Sequence, residues 1–134
     1  MLTSLRIVDL TTASIEKKPE HSFMLRVSGE KIQARELLRL RIFQEVEDYN
    51  SRQPAYFNML VQPGETERTL NGYRFSKPRQ VNPQAQFVKA IEAFEGNGFV
   101  MLVDQRQVET LEEEIALNPE TTVSFLKLVP LVGG

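Results

Sequence analysis

The chain has 134 residues, 41% of them hydrophobic and 25% charged, with a formal net charge of −2. These values are ordinary for one folded domain and exclude the basic surface by which proteins bind nucleic acids. No apolar run approaches the roughly 20 residues of a membrane span, and the N-terminus lacks the pattern of a secretory signal, so a cytoplasmic protein without membrane partners is expected.

The sequence also lacks most of the side chains that enzymes use. It has no cysteine and one histidine, His21, so it offers neither a thiolate nucleophile nor a cluster of zinc ligands. Glu112, Glu113 and Glu114 are adjacent in sequence and therefore point in different directions, which favours a solvated acidic surface over a catalytic carboxylate pair. The prediction is a protein that is not an enzyme, with no catalytic residues, no metal site and no bound cofactor.

The first third of the chain predicts two strands and a helix. Leu5 to Leu10 and Ser22 to Val27 are short runs rich in apolar and β-branched residues, typical of a hairpin with a long connection. From Ala34 to Asn50, apolar side chains recur every three or four positions, which indicates an amphipathic helix. The segment 56–61 fits neither a strand nor a helix clearly.

The middle of the chain predicts a hairpin and a second helix. Asn71-Gly72 lies between two short apolar segments and is typical of a two-residue hairpin turn, because both residues tolerate positive φ. A helix should begin with Asn82 as its N-cap and Pro83 at its first position, and end at Gly96. Its buried face should consist of four apolar residues: Phe87, Val88, Ile91 and Phe94.

The last third predicts two more strands. Phe99 to Val103 is apolar enough for a buried strand, followed by a turn at Asp104 to Arg106. Thr110 to Leu117 is acidic with spaced apolar residues, which favours a short helical turn, and Asn118-Pro119 marks a bend. The last strand is expected from Thr122 to Val129, ended by Pro130.

The order strand, strand, helix, strand, turn, strand, Gly-Gly resembles that of ubiquitin and its relatives. Ser22 to Glu36, Phe99 to Leu117 and Thr121 to Gly134 carry the similarity, which is nearest to bacterial ubiquitin-like proteins. The resemblance implies an α+β fold of the β-grasp type, with a mixed sheet packed on one main helix. It predicts one domain, 1–134, with an insertion at about 51–96 that carries the second helix, and a flexible tail at 130–134.

The resemblance also implies where the chemistry takes place. The carboxylate of Gly134, preceded by Gly133, would be adenylated by an activating enzyme of the ubiquitin-activating type, which uses ATP and Mg²⁺. Glycines suit a narrow channel because they have no Cβ, and five residues from Pro130 reach at most roughly 17 Å. Pro130, Leu131 and Val132 are the expected recognition residues of the tail, and Leu126 and Leu128 a candidate docking patch beside it.

The sequence is compatible with three functions. The first is a protein modifier that passes from the activating enzyme to a partner cysteine and then to targets, with a conjugating enzyme and a deconjugating protease as further partners, in a bacterial ubiquitination-like pathway such as antiphage defence. The second is a sulfur carrier with a C-terminal thiocarboxylate. The third is a β-grasp subunit that acts without covalent attachment. The apolar tail favours a prokaryotic partner with an apolar groove.

Overall fold

The computed structural model describes residues 2–12 and 21–128. This part of the chain is a mixed α+β structure, as the sequence predicts. The elements are β1 Leu2–Thr11, β2 His21–Ser28, β3 Lys31–Gln33, α1 Ala34–Arg52, β4 Thr66–Thr69, β5 Gly72–Phe75, α2 Pro83–Glu95, β6 Phe99–Val103, β7 Arg106–Gln107, β8 Glu114–Ala116 and β9 Thr122–Lys127. In the described residues, neither helix combines the length and apolar character that crossing a membrane requires.

The fold consists of two compact units. The first comprises residues 1–37 and 94–134, and the second comprises residues 38–93. The division falls inside α1, so most of that helix belongs to the second unit. The second unit therefore begins earlier in the chain than the predicted insertion at about 51–96. The assignment of residues 1–134 to a single domain stays a prediction.

The first unit contains a five-stranded sheet in the order β2-β1-β9-β6-β7. The strands β1 and β2 are antiparallel over eight residue pairs, from Leu2↔Ser28 to Asp9↔His21, which confirms the predicted hairpin. The strand β9 lies between β1, to which it is parallel, and β6, to which it is antiparallel. Among the described residues, the first and last strands, β1 and β9, are thus hydrogen-bonded neighbours inside the sheet.

One face of this sheet is apolar and buried. Alternation along the strands places Leu5 and Ile7 of β1 on that face, together with Phe99 of β6 and Phe125 of β9, and all four are 0–1% exposed. The rings of Phe99 and Phe125 lie 6.0 Å apart. Burial of side chains of this size contributes about 1.5–3 kcal/mol each, so this face is the core of the unit.

The segment predicted as a helical turn, Thr110 to Leu117, is instead a turn followed by β8. This strand pairs antiparallel with β3, and the paired Ile32 and Ile115 are both buried. The spacing of Leu111 and Ile115 was compatible with one turn of helix, but pairing with β3 decides the conformation. The same connection accepts hydrogen bonds at the start of α1, where the N–H of Ala34 donates to the Glu113 carbonyl at 2.8 Å.

The second unit contains the hairpin of β4 and β5. The predicted turn is one residue out of register, because Thr69 pairs with Gly72 and the loop is Leu70-Asn71. Of the predicted turn residues Asn71 and Gly72, only Gly72 adopts positive φ, at 119°. A Cβ at Gly72 would lie 2.6 Å from the Phe57 carbonyl oxygen, so the position requires glycine because the backbone of the neighbouring segment approaches it closely.

The helix α2 begins as the sequence predicts. The side-chain oxygen of Asn82 accepts the N–H of Ala85 at 2.9 Å, which is the expected N-cap. The predicted buried face is wrong at Val88, which is 45% exposed, while the buried positions are Gln86, Phe87 and Ala90. Gln86 is buried because its amide donates to the Val61 carbonyl at 2.6 Å.

An aromatic cluster forms the centre of the second unit. The ring of Phe57 lies 4.3 Å from that of Tyr49, 5.7 Å from that of Phe75 and 6.1 Å from that of Tyr73. Phe57 also exchanges backbone hydrogen bonds with Tyr73, at 2.7 and 3.1 Å. The segment 56–61, ambiguous in sequence, is therefore an irregular stretch with one bridge to β5.

Candidate conjugation site after the last strand

The candidate site begins where β9 ends. The carbonyl of Lys127 accepts the N–H of Thr12 at 3.1 Å, and the N–H of Leu128 donates to the Gly98 carbonyl at 3.1 Å. The chain is thus hydrogen-bonded on both sides up to its last described residue, Leu128. Five predicted site residues lie outside the described residues: Pro130, Leu131, Val132, Gly133 and Gly134.

The two leucines of the predicted docking patch differ in exposure. Leu126 is half-buried, and its neighbours across the sheet are Leu10 of β1 and Val100 of β6. The three side chains form an apolar row on the face opposite the buried core. Leu128 follows the strand by one residue and is 39% exposed. Leu128 therefore offers more apolar surface to a partner than Leu126 does.

The three glutamates at and just before β8, in the first unit, form ion pairs. Glu112, Glu113 and Glu114 each contact a cation on a different element, so the prediction that neighbouring carboxylates diverge is confirmed. The pairs are Glu112–Arg35 at 2.8 Å, Glu113–Arg106 at 2.8 Å and Glu114–Lys31 at 3.2 Å. Such exposed pairs are typical of a solvated protein surface.

Hydrogen bonds shift the pKa of two of these carboxyl groups. The guanidinium of Arg35 lowers the pKa of Glu112. For Glu113, the pKa is lowered by the Arg106 guanidinium and then by the backbone N–H groups of Glu109 and Thr110. Both shifts favour the charged carboxylate, so neither group is suited to act as a general acid near neutral pH.

The described residues contain no group of three or more His, Cys, Asp or Glu side chains positioned to hold a metal ion. Comparisons with protein-family models, curated proteins and solved structures found no match.

Sequence reasoning missed one surface, at the edge of the five-stranded sheet. β2 is an edge strand, and Met24, in its middle, is 57% exposed. In sequence, Met24 lies within the apolar run Phe23-Met24-Leu25, and composition alone does not show which of the three side chains are buried. The signal that distinguishes it is strand alternation, because Leu25 and Val27 face the core and Met24 must then face away.

Proposed function

We propose that the chain is a ubiquitin-like modifier of the β-grasp type, whose Gly134 carboxylate is activated by a partner enzyme and joined to target proteins. The observation that carries the proposal is the position of β9. This last strand is paired on both sides in the middle of a mixed sheet, and the diglycine follows it by a few residues. The order β1, β2, α1, β6, β9 along the chain supports the β-grasp assignment.

This arrangement suits a protein whose C-terminus is bound and activated by a partner enzyme. A tail that follows a central strand can enter another protein while the sheet stays folded, because the backbone is fixed up to Leu128 by its bond to Gly98. If the tail followed an edge strand, that strand would be hydrogen-bonded to the sheet on one side only. The proposal requires that Gly134 carries a free C-terminal carboxylate. A deconjugating protease that cleaves after Gly134 would also produce this carboxylate.

The chemistry proceeds by acyl transfer. The Gly134 carboxylate attacks the α-phosphorus of ATP, which forms an acyl-adenylate and releases pyrophosphate, with Mg²⁺ balancing the phosphate charge. A thiolate of the activating enzyme then attacks the acyl carbon, forming a thioester and releasing AMP. A target amine finally takes the acyl group and releases the thiol. ATP and Mg²⁺ belong to the partner, and this chain supplies the electrophile and its recognition.

Recognition of the tail would depend on apolar contact. Leu128, 39% exposed where the strand ends, lies three residues before Leu131 in sequence. Together with Pro130 and Val132 these residues give an apolar approach to the diglycine. A partner with an apolar groove would bury this segment, and each buried leucine would contribute about 1.5–3 kcal/mol before the cost of ordering the tail.

Pyrophosphate exchange with an activating enzyme encoded beside the chain tests the proposal. Exchange is expected with the native chain and not with a variant lacking Gly133-Gly134. A chain with one alanine added after Gly134 is the matched control: it keeps both glycines but removes the free glycine carboxylate, so its exchange should also be lost. Equal exchange by all three chains would show that Gly134 is not the activated group.

A second readout separates a modifier from a sulfur carrier. After activation, a modifier should form species of higher mass whose digests contain a branch derived from the residues after Lys127. A carrier should keep its size, with a small mass increase from the exchange of one terminal oxygen for sulfur. A chain that is never adenylated would favour a β-grasp subunit that acts without covalent attachment.

A further inference from the structure

The outward face of β1 and β2 carries charge of one sign only. Leu5 of β1 lies in the core, so Ser4 and Arg6 on either side of it point away from the core. Across the strand pair, Arg6 lies opposite Met24 and Ser4 lies opposite Arg26. No outward-facing residue of β1 or β2 is a carboxylate. This face is therefore positive, although the whole chain has a net charge of −2.

The two arginines are diagonal neighbours across the strand pair. Arg26 is two positions beyond Met24, the residue opposite Arg6, so the Cβ atoms of the two arginines are at most about 7–8 Å apart. Within residues 2–12 and 21–128, neither arginine forms an ion pair with a carboxylate. Arginines elsewhere in these residues do contact a glutamate: Arg35, Arg41, Arg74, Arg79 and Arg106. A guanidinium binds a carboxylate through two parallel hydrogen bonds, so an acidic ligand suits this pair.

Exposed apolar side chains lie beside the two arginines. Met24 is 57% exposed, and Leu2, on the same face at the start of β1, is 61% exposed. Arginine and methionine are both enriched in protein interfaces relative to the rest of the protein surface. The flexible methionine side chain also adapts to apolar partners of different shapes. We call this surface the outward β1–β2 face, formed by Leu2, Ser4, Arg6, Met24 and Arg26.

We propose that the outward β1–β2 face binds an acidic segment of a partner protein, with carboxylates on Arg6 and Arg26 and an apolar side chain against Met24. Charge complementarity selects this occupant. Anionic membranes attract clusters of about 4–8 lysines and arginines, and nucleic acids are bound by basic stripes on basic domains. Two arginines on a chain of net charge −2 fit a short acidic segment, whose apolar side chains can also cover the exposed methionine.

The outward β1–β2 face lies toward the end of the sheet opposite the C-terminal tail. Arg6 pairs with Thr122, the first residue of β9, and Leu128 lies about 20 Å further along the extended chain. A segment bound at Arg6 and Arg26 therefore leaves the end of β9 accessible. The partner can bind the chain whether or not its terminus is attached to another protein, so the inference goes beyond the proposed modifier function and does not depend on it.

An NMR titration of the isotopically labelled full chain tests the proposal. The probe is a soluble peptide that repeats two glutamates and one leucine, and it should shift the backbone signals of residues 2–6 and 24–26, less so at high salt. The same peptide with lysine in place of glutamate should shift none of them. Combining Arg6→Glu with Arg26→Glu should reverse this preference. Combining Arg68→Glu with Lys77→Glu is the matched control, because both residues are exposed in the second unit and the change in net charge is the same.

Three outcomes would overturn the proposal. The first is the absence of shifts at residues 2–6 and 24–26 when the acidic peptide is in large excess. The second is equal binding of that peptide by the native chain and by the Arg6→Glu, Arg26→Glu variant, with cooperative unfolding showing that the variant is folded. The third is tighter binding of phosphatidylserine vesicles or single-stranded DNA than of the peptide. These measurements need neither ATP nor an activating enzyme, so their failure is distinct from a failure of the proposed modifier function.

Discussion

At the scale of single residues, Gly72 determines how the hairpin of the second unit turns. Its φ of 119° lies where residues with a Cβ are strained. The hydroxyl of Thr69 stabilises the same turn, since it accepts the N–H of Asn71 at 3.1 Å and donates to the Gly72 carbonyl at 2.7 Å. The turn is therefore held by one glycine and one threonine, with Leu70 fully exposed between them.

Replacing Gly72 by alanine should destabilise the second unit. The added Cβ would lie 2.6 Å from the Phe57 carbonyl oxygen, so β4 and β5 or the segment at Phe57 must move. The positive φ of this position adds backbone strain for any residue with a Cβ. We expect a loss of about 1–3 kcal/mol in the free energy of unfolding, measured by urea denaturation.

Gly64→Ala is the matched control for this prediction. A Cβ at Gly64 would have as its nearest neighbour the end of the flexible Lys89 side chain, at 3.5 Å. That distance is an ordinary contact, so stability should change little. Equal losses in the two variants would contradict the role assigned to the close approach at Gly72.

At the scale of elements, the connection before β8 is organised by Glu113. One carboxylate oxygen accepts the backbone N–H groups of Glu109 and Thr110, and the other pairs with Arg106 of β7. The Glu113 carbonyl accepts the N–H of Ala34 at the start of α1. This one residue therefore links the turn, an edge strand and a helix terminus within the first unit.

Glu113→Gln should lower stability at neutral pH, and the loss should depend on pH. The pKa of Glu113 is lowered by folding, so its charged form stabilises the fold above the pKa of an unfolded glutamate, about 4.3. This contribution is lost as the pH falls through the lower pKa of the folded state. The difference between native chain and variant should thus shrink in acid, as measured by denaturation across pH.

Glu120→Gln provides a comparison within the same unit. Glu120 is on an exposed turn between β8 and β9, and its replacement by glutamine should change stability little. A difference between Glu113→Gln and the native chain that is constant down to strongly acidic pH would mean that the carboxylate charge is not what stabilises this connection.

At the scale of the whole molecule, the proposed function divides the work between a folded sheet and the residues that follow it. Leu131→Asp tests this division, since an aspartate entering an apolar groove is an unpaired buried charge that costs several kcal/mol. We expect both adenylation and conjugation to be lost. The free energy of unfolding should stay the same, because position 131 is beyond β9, which ends at Lys127.

Leu131→Met is the matched control, because it keeps an apolar side chain of similar volume and should retain exchange and conjugation. Unchanged conjugation by the aspartate variant would show that the tail is not recognised by apolar contact, and that the diglycine alone is read. Loss of conjugation together with lower stability would mean that Leu131 has a structural role.

The sequence by itself determined the elements whose signals are local. The hairpin of β1 and β2, the helix α1 and the start of α2 follow from alternation, from 3.6-residue spacing and from the cap at Asn82. These features depend on residues within a few positions of each other, which a sequence pattern contains. The α+β class follows from their order, and the diglycine and its proposed chemistry also come from the sequence.

Only the tertiary structure decided what depends on distant parts of the chain. Glu114 to Ala116 became a strand because β3, about 80 residues earlier, pairs with it. Val88 is exposed and Gln86 buried because the Val61 carbonyl accepts a hydrogen bond from the Gln86 amide. Among the described residues, β2 became an edge strand because β9 pairs with the other side of β1 and not with β2. Such outcomes depend on which partner a segment finds, and local propensity does not encode the partner.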